Sequence, residues 1–244
     1  MSKEPNSLNL HEKALTALRS EPRLGPHFKP TLLKIEGDGT ATIQAEVDTI
    51  AMKRRALTRL AATEGITGIV DRIRVKPGQP MSDDGILDHL RKAYLAEPAF
   101  DALRILERKA GRRKLVQDAP DARGEIEIEV KNGVVILNGS VPGLASKRLA
   151  GVLAWWVPGS RDVVNGIAVE PPEDDGPDQI EEAVRIALDK DPFVDASQIR
   201  VGVRNRTVRL TGAVRSREAR DAAEQDAWYV LGVDDVINEL EVRP

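Results

Sequence analysis

Residues 205–242 repeat residues 132–169 without a gap, and nothing else in this chain constrains its fold as strongly. The two stretches read NGVVILNGSVPGLASKRLAGVLAWWVPGSRDVVNGIAV and NRTVRLTGAVRSREARDAAEQDAWYVLGVDDVINELEV. A constant offset of 73 pairs Asn132 with Asn205, Gly139 with Gly212, Val141 with Val214, Trp155 with Trp228, Gly159 with Gly232 and Asn165 with Asn238. A register that survives two turns and a helical stretch marks one supersecondary unit used twice.

A more diverged third copy precedes these. An offset of 94 pairs Gly39 with Gly133, Val47 with Val141, Gly65 with Gly159 and Val75 with Val169. Each copy ends alike, at Val75-Lys76-Pro77, Val169-Glu170-Pro171 and Val242-Arg243-Pro244. Proline has no N–H to give a sheet, so strands stop there. The expected domains are 1–78, 79–172 and 173–244, where length alone suggests one or two.

Copy three shows the unit most clearly. Pro177 suits a first helical position. Ile180, Ala183, Val184, Ala187 and Leu188 then recur at helical spacing, up to Asp191-Pro192. Ile199, Val201 and Val203 alternate with Arg200, Gly202 and Arg204, as in a half-buried strand. After a turn at Asn205-Arg206 come Val208, Leu210 and Gly212. Ser216 is placed to cap a helix whose narrow stripe is Ala219, Ala222, Ala223, Ala227 and Val230. Gly232 closes that helix, and Val233, Val236, Ile237, Leu240 and Val242 make the last strand. In copy two, Asn132-Gly133 is a type I′ hairpin signal. The expected fold class is α+β: three tandem α-β-β-α-β units, each a small three-stranded mixed sheet packed on two helices.

The pattern V-x-L-x-G-x-V, an Ala-rich helix, then G-V-x-x-V-x-N-x-L-x-V resembles the BON domain family, named for bacterial osmotic-stress and nodulation proteins. It stands here as Val208, Leu210, Gly212, Val214, Gly232, Val233, Val236, Asn238, Leu240 and Val242. Copy two matches through Val135, Leu137, Gly139, Val141, Val163, Asn165, Ile167 and Val169. Copy one departs, with Ala45 at the glycine and Asp71 at the asparagine. The resemblance implies non-enzymatic modules that bind phospholipid surfaces. It also carries links to envelope and osmotic stress and, in one kind, to potassium binding.

Composition narrows the function classes. There is no cysteine, which removes disulfides, thiolate metal sites and a catalytic thiol. His11, His27 and His89 lie apart, with no metal-ligand partner at i+3 or i+4, and there is no P-loop, nucleophile elbow or zincin motif. The expectation is no enzyme, no cofactor and no bound metal. A pI near 5.8 with 3% aromatics argues against nucleic acid. The start, MSKEPNSLNLHEKAL, has no apolar core of a secretory signal, and no apolar run is long enough to span a bilayer. The expected place is the cytoplasm, in solution or peripheral to the membrane. Charge is graded along the chain. Lys and Arg exceed Asp and Glu by four over 1–80, balance them over 81–172 and fall short by seven over 173–244.

Candidate binding residues come in two groups. The two offsets differ by 21, so copy two carries 21 extra residues within 103–125. There Lys109, Arg112, Arg113 and Lys114 sit beside Leu106 and Leu115, a basic and apolar mixture suited to an anionic phospholipid surface. The plainer reading is a lengthened first helix and a solvated loop. On a helical wheel, Trp155 and Trp228 fall off the apolar stripes of their helices, with Trp156 and Tyr229 nearer the edge. Such rings suit a half-wet boundary with lipid or with a protein partner, or packing between neighbouring units. Gly139, Gly212, Gly159, Gly232, Asn165 and Asn238 are read as structural, the first two as sites of a bulge or close backbone approach. The acidic stretches Ser82-Asp83-Asp84 and Glu173-Asp174-Asp175-Gly176 precede helices, where carboxylates meet the positive end of the dipole; a cation site is the alternative.

Overall fold

The computed structural model describes residues 4–25 and 28–243. His27 and Pro244, cited above, lie outside them. The chain divides into two compact units, Met1–Lys76 and Pro77–Pro244.

The first unit runs α1 (Glu4–Arg19), β1 (Leu32–Ile35), β2 (Thr40–Val47), α2 (Ile50–Ala61) and β3 (Gly68–Val75). β2 is central, antiparallel to β1 and parallel to β3. Its alternation puts Ala41, Ile43, Ala45 and Val47 into a core with Ala14, Leu18, Ala56, Leu60 and Ile73. The Thr49 side chain caps α2 by accepting from Met52 N at 3.2 Å.

The second unit holds two repeats. The first comprises α3 (Asp83–Leu95), β4 (Arg104–Lys109), β5 (Arg112–Gln117), β6 (Glu125–Lys131), β7 (Val134–Val141), α4 (Leu144–Trp156), β8 (Asp162–Asn165) and β9 (Ala168–Val169). The second comprises α5 (Pro177–Lys190), β10 (Ile199–Arg204), β11 (Thr207–Val214), α6 (Arg217–Tyr229) and β12 (Asp235–Val242). β10-β11-β12 copies the arrangement of β1-β2-β3. Ser216 caps α6 by accepting from Ala219 N at 3.1 Å, as its position suggests. Gly232, with φ 104°, does not end α6 directly; the helix closes at Tyr229 and the glycine shapes the turn before β12.

The offsets hold in three dimensions. Val47, Val141 and Val214 each end the central strand, are each buried, and each accept one bond across the parallel edge: from Lys76 N (2.8 Å), Glu170 N (3.0 Å) and Arg243 N (2.8 Å). The motif asparagines tie that edge to the crossover helix. Asn165 Nδ2 donates to Lys147 O at 2.7 Å and Asn238 Nδ2 to Arg220 O at 3.0 Å. In the first unit Asp71 takes the asparagine's place and cannot donate. Lys53, on α2 where Lys147 stands on α4, restores the link: its Nζ lies 2.7 Å from Asp71 and donates to Ile73 O at 2.9 Å.

The 103–125 insertion corrects two expectations. Most of it forms a β-hairpin rather than a helix extension, leaving only residues 118–124 as loop, and the sheet it joins is not three-stranded. β4 pairs in parallel with β6, and β5 folds back on β4, giving the order β5-β4-β6-β7-β8, with β9 also paired to β7. Glu97-Pro98 stops the helix, because the residue before proline avoids the α region. Ala110 (φ 48°) and Gly111 (φ 77°) then make the hairpin turn. Ile105 on β4 joins the core beside Ile126.

Gly139 (φ 115°) and Gly212 (φ 124°) are required by the opposite strand. A Cβ there would stand 2.1 Å from Glu125 O and 2.0 Å from Gln198 O. At the equivalent position of β2 stands Ala45, beyond the last regular pair Leu32–Gln44, with Thr31 N still donating to Gln44 O at 2.8 Å. Gly212→Ala is therefore expected to cost about 2–4 kcal/mol in urea unfolding, whereas Ala45→Gly costs at most about 1 kcal/mol.

Candidate functional site

Two surfaces gather the residues singled out from sequence. One is the hairpin β4–β5. The other is the seam where α4 of the first repeat meets α5 and α6 of the second.

On the hairpin, the basic cluster is divided by its own ion pairs. Lys109 Nζ lies 2.7 Å from Asp84, at the start of α3. Arg113 on β5 reaches both Glu125 and Glu127 on β6. Arg108 holds Glu127 as well, through Nε at 2.6 Å and Nη2 at 3.1 Å. The Arg108 hydrogen bond and the two guanidinium charges keep the Glu127 carboxyl below its ordinary range despite burial. Arg112 and Lys114 have no such partner among the described residues. They share one face of β5, whereas Arg113 and the 49% exposed Leu115 lie on the other. β5 is the last strand on its side of the sheet.

The seam takes three of the four aromatic candidates, Trp155, Trp156 and Tyr229. Trp155 stacks on Tyr229 across it, with centroids 5.7 Å apart and planes 9° from parallel. Trp156 Nε1 donates to Asp226 Oδ1 at 2.8 Å, again across it. The Tyr229 hydroxyl lies 2.9 Å from Gln225 Oε1, and burial pushes its pKa up to about 12. Trp228 is only 1% exposed. The wheel placed Trp228 off the core because it considered only the Ala stripe of α6. α6 also packs on α5 and α4, so more than one face is covered. Trp228 is thus corrected from a boundary ring to a core residue.

Sequence reasoning missed the charges of the seam. Arg148, 1% exposed on α4, donates through Nε to Leu231 O at 2.8 Å and pairs through Nη2 with Asp175. Lys190 at the end of α5 grips both oxygens of Glu97, at 2.9 and 3.0 Å. Glu173 accepts from Leu144 N at 2.8 Å, serving the α4 N-terminus where Gly143 offers no side chain. Asp226 is 2% exposed. Burial pushes its carboxyl up to about 8; the Trp156 hydrogen bond opposes this and nearby Asp191 reinforces it. The repeat itself held the signal: offset 73 places Asp226 where copy two has Leu153, an acid in an apolar slot.

The remaining candidates also have structural work. Asp83 accepts from Asn132 N and Gly133 N, both at 2.8 Å, clamping the β6–β7 turn to α3. With Glu173, Asp175 and Asp84 engaged as above, the acidic stretches serve internal contacts. Gly159 lies against Met81 and Ile86, 2.5 and 2.9 Å from a notional Cβ. Phe193, 80% exposed in the loop after α5, is the most exposed large apolar side chain described, and periodicity gave no warning of it.

Comparison with known proteins gives one family. The BON domain model matches residues 108–171 and 176–244, more than half of the chain. No curated protein matches. Among solved structures, CdsD, a structural protein of the type III secretion system of Chlamydia trachomatis, is 13% identical, with 94% of this chain and 92% of that one covered and a TM-score of 0.25. The C-terminal domain of CdsD gives the same identity and TM-score, with 94% and 97% covered. At that score the likeness carries no argument. No helix among the described residues is long and apolar enough to cross a membrane.

The seam yields two expectations. Trp228→Ala should cost about 3–5 kcal/mol in denaturant unfolding, as for any fully buried aromatic. Asp226, with its folded pKa raised, stabilises the fold fully below about pH 4, and that contribution is lost as pH rises towards 8. The thermal midpoint of wild type relative to D226N should therefore fall between pH 4 and 8 and level off above. A difference independent of pH would show that Asp226 is ionised throughout.

Proposed function

The chain belongs to the BON domain family, and from that premise we propose that it is a non-enzymatic binding protein that attaches peripherally to anionic phospholipid surfaces. The first unit, which shares the α-β-β-α-β order but lies outside the family match, is in this reading a diverged third copy. The observation that carries the proposal is the end of the hairpin. Among the described residues Arg112 and Lys114 have no ion-pair partner, and they lie exposed on one face of β5, the end strand of its sheet. Cations without an internal partner keep their full attraction for lipid phosphates. The tryptophans do not contribute, because the seam and the core hold them.

Each basic residue near such a surface contributes about 1 kcal/mol. R112Q/K114Q should then weaken co-sedimentation with phosphatidylserine-containing vesicles by roughly tenfold or more. R113Q, whose cation already serves Glu125 and Glu127, should do less. Binding should fall as salt rises through the physiological range, where the Debye length is about 8 Å. Equal sedimentation with phosphatidylcholine alone, or none even at low salt, would defeat the reading.

A further inference from the structure

The two repeats of the second unit differ at one sheet edge, and the difference specifies a ligand. In the first repeat that edge, the outer side of β6, is filled by β4, with Leu106 opposite Glu127 and Arg108 opposite Glu129. β4 brings a cation to a strand whose solvent face is acidic, and its Ile105 packs on the helix side beside Ile126. β10 is the counterpart of β6 at offset 73, and no strand lies beyond it. Its solvent face has the opposite charge: Arg200 stands where Glu127 does, and Arg204 where Lys131 does, with Gly202 between them in place of Glu129. Neither arginine has an acidic partner among the described residues, although Arg209 on the next strand is paired with Glu239. A Cβ at Gly202 would meet nothing within 4 Å. Ile199 is only half-buried, where its counterpart Ile126 is fully covered.

We propose that the free edge of β10 binds an extended acidic segment of a partner protein, added in parallel as β4 is added to β6. Backbone groups along β10 supply the pairing, which any sequence satisfies. Selection comes from the two faces. On the solvent face, a carboxylate at the position of Arg108 stands over Gly202, between the guanidinium groups of Arg200 and Arg204. On the helix side, an aliphatic residue at the position of Ile105 covers Ile199. The surrounding domain is strongly acidic, so this cationic edge also fixes where on the domain such a segment settles. The proposal does not rest on membrane attachment.

The test is an amide NMR titration of the 15N-labelled full chain, without lipid, with two peptides. One comprises residues 103–110 carrying R104E and R108E; the other is the unchanged 103–110 sequence. The acidic peptide should shift the amides of 199–204 and bind about tenfold more tightly than the basic one. In the R200E/R204E chain that preference should reverse. Equal binding of the two peptides would overturn the proposal, as would absence of shifts at 199–204 or shifts at 125–131 instead. Concentration-dependent shifts of 199–204 in the chain alone would also overturn it, since they would assign the edge to a second copy.

Discussion

Each unit depends on a central strand bonded along both edges, antiparallel on one side and parallel on the other. The antiparallel side needs only a tight turn, such as Asn132-Gly133. The parallel side needs a crossover, which the helices α2, α4 and α6 supply. A crossover helix has to be held to the strand it delivers, and polar side chains do this in both units. Asn165 and Asn238 bind a helix carbonyl through their amide nitrogen. The exchange of asparagine for Asp71 in the first unit is matched by Lys53, which carries the missing donor from the helix side. The same link is made there with its chemistry inverted.

The seam between the two repeats of the second unit follows a different rule. It joins helices through buried polar groups as well as aromatic rings: Arg148 on a carbonyl and Asp175, Trp156 on Asp226, Lys190 on Glu97. Buried ions contribute little net stability, because desolvation offsets their attraction, but removing one partner strands the other. Such a seam specifies one docking arrangement more than it adds stability. Asp226 is its costly member, an acid in an apolar slot with Asp191 nearby and an indole as its hydrogen-bond donor.

The sheet edges carry the remaining individuality. Once the core is shared, copies diverge where strands end in solvent. The first repeat of the second unit covers one edge with a hairpin and thereby moves the exposed edge outward to β5, lined by cations. The second leaves the same edge bare and reverses its charge. The hairpin extends the core only through residues such as Ile105, and the charge reversal lies on the solvent face, so both alter what the surface can recognise while the shared unit is kept.

The repeat period, the order of elements, the caps and the turns were legible in the residues, because each is decided within a few positions of itself. Gly212 announces a close strand, Pro177 a helix start and Ser216 a cap. The insertion was less legible: Ala110-Gly111 between alternating runs signalled a hairpin, but basic residues drew attention to charge first. The partners of those charges were not legible at all. Arg113 and Arg112 are adjacent and alike in sequence, yet one faces Glu125 and Glu127 and the other faces solvent. Trp155 and Trp228 occupy equivalent positions, yet one is stacked in the seam and the other is inside the core. The sequence by itself determined the repeat, the order of its elements and the side of each strand that is apolar, since these follow from local backbone preference and hydrophobic period. Only the tertiary structure decided which charges are neutralised, which rings are covered and which edges stay open, because those depend on surfaces brought together by residues far apart in the chain.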